Sequence, residues 1–355
     1  MTTEKPFHIG VIGAGMIAEN HIQNLQKSSR ATVKWIAATT KEKAASVGGA
    51  YDIPKPTNRY QYMLEDPDLD AVIICTPPFL HAEMAAAALR AGKHVLVEKP
   101  LTLTYEEATG LLELKRQYPD LIAIDCSARH ARLHPKYQTV KRYIESGALG
   151  DIYYVHHNAV SQQSRPGIEY HPSAKWFLDK DKAGGGPLFD WGVYDLSFHL
   201  GVLGDRHELQ RVDAIQITAG LDNRDPGTDI YNVEEHFSAN LTFSNGLRYY
   251  WERAAHANMQ VSNETRIYGT RGGLKLAFCS WDAPELTLYG LNESGDAFQQ
   301  KESLDYQDQD DGYAMALHFL DCMEGKTKPI QPLEVAARHL QIIHQCYQTY
   351  QNQYA

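Results

Sequence analysis

The stretch Gly10-Val11-Ile12-Gly13-Ala14-Gly15-Met16-Ile17-Ala18 joins an apolar run, Phe7–Ile12, to an amphipathic segment. In a strand-to-helix turn of this pattern, the first glycine permits a tight bend and the second lets the backbone approach a pyrophosphate. A small residue three positions later lets the helix pack close to the strand, and the helix N-terminus offers N–H groups to phosphate. The stretch predicts a dinucleotide site with contacts at Gly13, Gly15, Met16 and Ile17, the alternative being a purely structural turn.

Further apolar runs follow this turn. Each is apolar almost throughout, as expected for parallel strands covered on both faces. The runs are Val33–Ala38, Ala71–Cys75, His94–Val97 and Leu121–Ile124. Helical segments are predicted between some of these runs, at Ile17–Lys27, His81–Ala91 and Tyr105–Tyr118. Thr104 followed by two glutamates is a good start for the last of them. The pattern predicts an N-terminal Rossmann domain, a doubly wound parallel sheet, over residues 1–127.

From residue 128 onward the pattern changes to short alternating strands between Ile152 and Tyr289. Asn245-Gly246 predicts a hairpin turn, since both residues tolerate positive φ. Helices are expected at Tyr313–Met323 and Leu333–Tyr350. We predict an α+β domain over residues 128–355 with a large, mostly antiparallel open sheet. The exposed face of that sheet suggests a homodimer or homotetramer.

Composition excludes several classes of protein. The 355 residues carry 34 Lys and Arg against 44 Asp and Glu, a net charge of −10, which disfavours nucleic acid and anionic membranes as partners. No apolar run approaches the roughly 20 residues that span a bilayer. Five scattered cysteines without a C-x-x-C pattern indicate free thiols and a cytoplasmic location. Sixteen histidines occur without a His-Glu-x-x-His motif, so no metal is predicted.

The residues after the second predicted strand bear on the choice of dinucleotide. An NAD site usually places an acid there to bind the ribose 2′-hydroxyl. This chain has Thr39-Thr40-Lys41 instead, a set that suits a 2′-phosphate. Glu42 could still supply the acid, so NADP is favoured over NAD without excluding NAD.

Several motifs, taken in their order along the chain, resemble those of a known family. They are Thr76-Pro77-Pro78 with His81, Ala91-Gly92-Lys93-His94-Val95, Glu98-Lys99-Pro100, Gly184-Gly185-Gly186-Pro187-Leu188-Phe189-Asp190-Trp191-Gly192-Val193-Tyr194, and Tyr268-Gly269-Thr270-Arg271-Gly272-Gly273. Together they resemble the glucose–fructose oxidoreductase/inositol dehydrogenase (Gfo/Idh/MocA) family over almost the whole chain.

The resemblance implies an NAD(P)-dependent oxidoreductase that moves a hydride between nicotinamide and a carbinol or ketone carbon of a sugar, polyol or related compound. It implies cofactor contacts at Thr76, Pro77, His81, Glu98 and Lys99, and catalytic roles for Lys99, Asp190 and Tyr194. Many members carry His where this chain has Tyr194, which is similar to the tyrosine-type branch of the family.

The chemistry of these residues suits that role. Oxidising an alcohol needs a base for the hydroxyl proton, and reducing a ketone needs an acid. On one helix, Asp190 and Tyr194 would share a face. Tyrosine has a pKa of about 10, and the Lys99 ammonium would lower it while Asp190 orients the pair. His171 and Trp176 are further candidates for the substrate pocket.

Two alternative functions stay open. Some relatives are glycosidases that use tightly held NAD for transient oxidation, and release of a sugar without net cofactor reduction would identify that activity. Other relatives are non-catalytic sensors, but such a protein has no need to keep Lys99, Asp190 and Tyr194 together.

Overall fold

The computed structural model describes residues 5–162, 164, 172–304 and 310–354. By its internal contacts the chain divides into two compact units, residues 1–129 with 310–337, and residues 130–309 with 338–355. The break after Arg129 lies two residues from the predicted boundary. The sequence predicts residues 310–337 in the second domain, whereas the structure places them in the first unit.

The first unit contains a six-stranded parallel sheet with the order β3-β2-β1-β4-β5-β6. Its strands are β1 (Phe7–Ile12), β2 (Ala31–Ala37), β3 (Lys55–Thr57), β4 (Ala71–Ile74), β5 (His94–Val97) and β6 (Ala123–Asp125). Every predicted strand is present. The sequence reading missed β3 because it is a three-residue edge strand that contains Pro56.

Helices flank this sheet. They are α1 (Met16–Gln26), α2 (Lys41–Ala50), α3 (Tyr60–Leu64), α4 (His81–Arg90), α5 (Tyr105–Gln117) and the later helix α10 (Asp311–Met323). Arg30 helps to attach α10 to the first unit. Its guanidinium donates to Glu324 Oε1 at 2.9 Å and to Asp321 Oδ1 at 2.7 Å. The doubly wound parallel sheet predicted from the sequence is confirmed.

The second unit contains an eight-stranded sheet with the order β14-β13-β12-β11-β7-β10-β9-β8. Its strands are β7 (Ile152–Gln162), β8 (Leu209–Thr218), β9 (His236–Phe243), β10 (Arg248–Ala257), β11 (Val261–Gly269), β12 (Gly272–Leu276), β13 (Glu285–Leu291) and β14 (Ala297–Ser303). All neighbours are antiparallel except β7 and β10. The hairpin at Asn245-Gly246 is present, but only Gly246 takes a positive φ, of 86°.

One face of this sheet is buried and the other is partly open. Val155, Tyr249 and Ile267 are neighbours across strands and are each no more than 2% exposed. The helices of the unit are α6 (Pro135–Glu145), α7 (Lys180–Ala183), α8 (Pro187–Asp190) and α9 (Gly192–Val202), and α11 (Leu333–Tyr354) closes the chain. Helix α9 is buried along its whole length. The alternating positions His156 and Tyr250 keep part of their surface exposed.

Two further features are the apolarity of the helices and the state of the cysteines. Within the described residues, none of the helices combines the length and apolarity needed to cross a membrane. All five cysteines are free thiols and all are buried.

The start of α5 provides a test of local stability. Thr104 Oγ1 accepts the Glu107 N–H at 3.1 Å, and the Glu107 carboxylate accepts the Thr104 N–H at 3.1 Å, forming a capping box. We expect Thr104→Ala to lower the free energy of unfolding by about 1 kcal/mol in urea titrations. Thr109→Ala on the same helix removes only a bond to the Tyr105 carbonyl and should change stability little.

Candidate active site

The glycine turn between β1 and α1 has the geometry that a pyrophosphate needs. Gly13 has φ 110°, and a Cβ there would lie 2.6 Å from the Cys75 carbonyl oxygen, so only glycine fits. Gly15 is the N-cap of α1 and provides no side-chain cap, which leaves first-turn N–H groups directed out of the helix. Ala18 is fully buried against the sheet. These residues fit a dinucleotide phosphate.

The end of β2 presents Thr39, Thr40 and Lys41 to solvent. Thr40 is the N-cap of α2, where its Oγ1 accepts the Lys43 N–H at 3.1 Å. The hydroxyl can still donate its proton. This edge therefore combines two hydroxyl groups, an exposed ammonium and a helix N-terminus, while the exposed Glu42 is the acid nearest in sequence.

Glu98 is buried beneath the segment that carries Lys99. Its Oε1 lies 2.8 Å from His21 Nε2 of α1 and 2.5 Å from Arg129 Nη1, and its Oε2 accepts the Lys99 N–H at 3.1 Å. Burial alone would raise the pKa of this carboxyl, but Arg129 and His21 outweigh burial and hold that pKa well below its usual value. The charged carboxylate thus ties the start of the Lys99 loop to α1.

His81 connects the loops that follow β4 and β5. Its ring nitrogens lie 2.8 Å from the carbonyl oxygens of Pro100 and Thr76, and the side chain is fully buried. Thr76 and Pro77 are partly exposed beside it, as is Lys99. The side chains of Glu98 and His81 therefore hold the backbone around Lys99, and their contacts with a cofactor stay predictions.

The glycine triplet at 184–186 passes through a narrow space in the second unit. A Cβ on Gly186 would lie 1.9 Å from the Glu234 carbonyl oxygen, and one on Gly185 would lie 2.0 Å from Tyr347 Oη. The Glu234 carboxylate accepts the Tyr347 hydroxyl at 2.8 Å and the Leu188 N–H at 3.0 Å. Helix α8, which ends at Asp190, is therefore held at its N-terminus.

The sequence predicts that Asp190 and Tyr194 share one helix, but the structure places them on two separate helices. Helix α8 ends at Asp190, Trp191 separates the two elements, and α9 begins at Gly192. The break coincides with a close approach, because a Cβ on Gly192 would lie 2.8 Å from the Trp251 ring. Asp190 is 7% exposed and Tyr194 is 1% exposed.

Aromatic rings surround Tyr194. The ring centroid of His130 lies 5.0 Å from that of Tyr194, and the Trp191 centroid lies 5.5 Å from it. Trp281 packs edge-on against His130 at 4.9 Å. The sequence reading missed all three rings, because they are far apart in the chain or, for Trp191, look like ordinary core.

A buried ion pair lies directly beneath this group. Arg253 donates to both oxygens of Asp195 at 2.7 Å, and Trp251 Nε1 donates to Asp195 Oδ2 at 2.8 Å. Burial would raise the pKa of Asp195, but Arg253 and His157 outweigh it and hold that pKa far below the usual value. The Arg253 guanidinium also lies 4.9 Å from the centroid of the Trp191 ring. The sequence reading missed this pair, although Asp195 directly follows Tyr194.

Trp176 and His171 are the other two residues that the sequence predicts for the substrate pocket. Trp176 lies in a short 3₁₀ segment, Lys175–Leu178, where its ring stacks on Phe177 at 3.9 Å. His171 lies outside the described residues. Both assignments to the substrate pocket stay predictions.

Two groups of possible metal ligands occur in the described part of the chain, and their carboxylates already have protein partners. One group is His21, Glu98 and Cys126, and the other is Asp222, Glu235 and His256. Glu98 binds His21 and Arg129, as above. Glu235 accepts the N–H groups of residues 221 and 222 and the Tyr231 hydroxyl.

Comparison with known proteins extends these observations. Residues 7–125 match a family described as an oxidoreductase family with an NAD-binding Rossmann fold, and residues 137–275 match the GFO/IDH/MocA C-terminal domain. The dTDP-3,4-didehydro-2,6-dideoxy-alpha-D-glucose 3-reductase of Actinomadura kijaniata is 30% identical, over 69% of this chain and 74% of its own. The D-glucoside 3-dehydrogenase of Escherichia coli (strain K12) is 28% identical, over 69% of each chain.

A solved structure agrees in fold. Levoglucosan dehydrogenase, in complex with NADH and levoglucosan, gives a TM-score of 0.81 at 21% identity and covers 97% of both chains. The glycine turn and the two matched domains define an NAD-binding oxidoreductase. The chain belongs to the Gfo/Idh/MocA family, which confirms the family and the fold expected from the sequence.

The ion pair under α9 can be tested by removing one charge. We expect Asp195→Asn to lower the free energy of unfolding by about 3–5 kcal/mol, because it leaves the Arg253 charge buried without its counterion. Urea titration measures this loss. Glu285→Gln, which removes a 3.9 Å ion pair with the exposed Lys301, should cost less than about 1 kcal/mol. Equal losses in the two variants would contradict a special role for Asp195.

Proposed function

We propose that the protein transfers a hydride between a nicotinamide dinucleotide and a carbinol or ketone carbon of a sugar or polyol. The observation that carries this proposal is the position of Tyr194. It lies in the first turn of a buried helix directly after the glycine triplet and Asp190, in a chain that also has the phosphate-binding glycine turn. The relatives named for reactions on glucosides, a dTDP-sugar and levoglucosan support a sugar as substrate.

In this proposal the bound nicotinamide supplies or accepts the hydride. Tyr194 takes the proton of the substrate hydroxyl during oxidation and returns it during reduction. Lys99 donates a hydrogen bond to the reacting oxygen as negative charge develops there, and an ammonium near a phenol also favours the phenolate. Asp190 orients these two groups. Glu98 and His81 keep the backbone of the Lys99 segment in place.

The first kinetic test removes the proposed acid and base. Tyr194→Phe should lower single-turnover hydride transfer by about 10²–10⁴-fold with cofactor saturated, while the affinity for cofactor changes little. Lys99→Met should also slow this step, and the double variant should lose much less than the product of the two losses, because the residues act together. Cofactor absorbance at 340 nm follows the reaction.

Tyr153→Phe is the matched control, since Tyr153 is 52% exposed on the sheet, and it should transfer hydride normally. Transfer at the wild-type rate in Tyr194→Phe would rule out Tyr194 as the acid or base. Release of a free sugar without net cofactor reduction would instead indicate a glycosidase.

We also propose NADP as the preferred dinucleotide. Thr39, Thr40 and Lys41 are exposed at the end of β2, where the N-terminus of α2 adds a partial positive charge. A 2′-phosphate would accept hydrogen bonds from the hydroxyl groups and pair with the ammonium. Glu42 is the group that would favour NAD.

Calorimetric titration of the wild type should give a lower Kd for NADP than for NAD. Lys41→Ala should weaken NADP about 10-fold and leave NAD nearly unchanged, because the ammonium contacts only the 2′-phosphate. Lys328→Ala, an exposed lysine elsewhere in the first unit, should change neither Kd. A wild-type preference for NAD, or equal weakening of both cofactors by Lys41→Ala, would refute the proposal.

The open face of the eight-stranded sheet is the proposed subunit interface of a dimer or tetramer. Half-buried aromatic rings cover it, with Tyr154 5.4 Å from Tyr268 and His156 4.5 Å from Tyr250 between ring centroids. Aromatic side chains of this kind are enriched at protein interfaces.

Sedimentation at micromolar concentration should show a dimer or tetramer. Tyr268→Asp should shift the protein toward monomer, since it would bury a charge in the interface. Leu221→Asp, at an exposed residue outside the strands, should not. A monomeric wild type would contradict this interface.

We further infer a reducing, cytoplasmic location. The observation in support is that all five thiols are free and none is paired in a disulfide.

A further inference from the structure

Trp281 is a large apolar residue that the fold leaves in solvent. Its side chain is 59% exposed, although Phe278 and Cys279 close by in the chain are at most 1% exposed. Trp281 belongs to the loop of residues 277–284 that joins β12 to β13. A single exposed apolar residue is common on protein surfaces, so a binding role for Trp281 rests on how its loop is held and on which rings it contacts.

The loop that carries Trp281 is firmly held. The buried Lys136 ammonium of α6 donates to the carbonyl oxygens of Ala277, Cys279 and Asp282 at 2.9, 2.7 and 3.0 Å. The Asp282 carboxylate accepts the Asn263 amide at 2.7 Å and the Cys279 N–H at 3.0 Å. The indole is therefore displayed by a backbone with fixed geometry, as a preorganised binding residue requires.

The position of Trp281 relates it to the proposed acid and base. Its ring centroid lies 4.9 Å from that of His130 and 5.8 Å from that of Trp191, both in edge-to-face contacts. Each of those two rings also contacts the Tyr194 ring. Trp281 nevertheless stays 59% exposed, so it presents accessible indole surface next to the two rings that contact Tyr194.

We infer that Trp281 is a substrate-binding residue whose indole face stacks on the apolar face of a ring-closed sugar, a pyranose, in preference to an open-chain polyol. This inference rests on the proposed function, because it takes Tyr194 as the group that exchanges the substrate proton. A pyranose with equatorial hydroxyl groups presents its axial C–H bonds as one flat apolar surface, which suits an aromatic ring. An open chain must first give up its rotational freedom to present such a surface.

The test measures binding and turnover separately. Calorimetry on protein saturated with NADPH, which cannot accept a hydride from an alcohol, would compare the methyl β-pyranosides of glucose, galactose and xylose with glucitol, galactitol and xylitol. We expect at least one pyranoside to bind more tightly than its open-chain counterpart. Trp281→Ala should weaken that binding about 10-fold, and Trp281→Leu should weaken it similarly, because leucine is apolar but not flat. Trp281→Phe should retain most of the affinity.

Leu291→Ala is the matched control. Leu291 is 67% exposed, but it lies at the far end of β13, about 20 Å from the start of that strand, and its loss should leave every Kd unchanged. In turnover, Trp281→Ala should raise KM for the pyranose and change single-turnover hydride transfer at saturating sugar by less than about 3-fold, because stacking binds the substrate without taking part in proton transfer.

The outcomes separate the two proposals. If Trp281→Ala weakens pyranoside binding but the wild type reduces no cofactor, the proposed function fails and the binding role of Trp281 stands. If the wild type oxidises a pyranose and Trp281→Ala leaves both Kd and KM unchanged, the role of Trp281 is overturned and the function stands. Equal or absent binding of the pyranosides and the open-chain polyols overturns the inference.

Discussion

Removing the Asp195 carboxylate from water costs several kcal/mol, and Arg253, Trp251 and His157 together offset that cost. These partners come from two adjacent strands, β10 and β7. Because all of them must reach one carboxylate, α9 can lie on the sheet in a single orientation. Gly192 makes that orientation possible, since any larger residue would meet the Trp251 ring. The position of Tyr194, one residue before Asp195, follows from these constraints.

In the first unit, Glu98 is a second buried carboxylate whose removal from water is offset by protein partners. Its charge is compensated by Arg129 and by His21, which lies on the helix that opens at the glycine turn. One buried carboxylate therefore links α1 to the segment that carries Lys99. In each unit a buried acid determines where the neighbouring side chain, for which we propose a catalytic role, is placed. These buried residues are acids adjacent in sequence to Lys99 and Tyr194.

The parts of the fold that could be predicted are those with a strong local signal. Strand β4 is apolar along its whole length and β1 is apolar except for His8, as expected for strands covered on both faces. Gly13 lies in a glycine pattern that predicts a turn. Strand β14 has no such signal, since most of its residues are polar and most are exposed. Helix α2 contains two glycines and little amphipathic pattern, so it was also missed. The placement of α10 with the first unit depends on Arg30, a contact across almost 300 residues that no local pattern contains.

Some residues of the candidate site could likewise be predicted from the sequence, and others could not. The order of the motifs led to Lys99, Asp190 and Tyr194, but the spacing of Asp190 and Tyr194 suggested one helix where the structure has two, separated by Trp191. The partners of Asp195 are brought together by the register of strands β7 and β10, and two of the rings named around Tyr194, His130 and Trp281, come from loops far from it in sequence. A lone arginine or tryptophan in a sequence gives no indication of that register.

Lys136 supports the loop of residues 277–284 through the backbone of that loop. The ammonium binds backbone carbonyl groups, which every amino acid provides, so the path of the loop does not depend on what residue 281 is. Position 281 can therefore be exchanged in a library without rebuilding its support. Given the proposed role of Trp281, substrate preference could then be changed at this loop, in protein engineering or in the divergence of gene copies, while the scaffold stays the same.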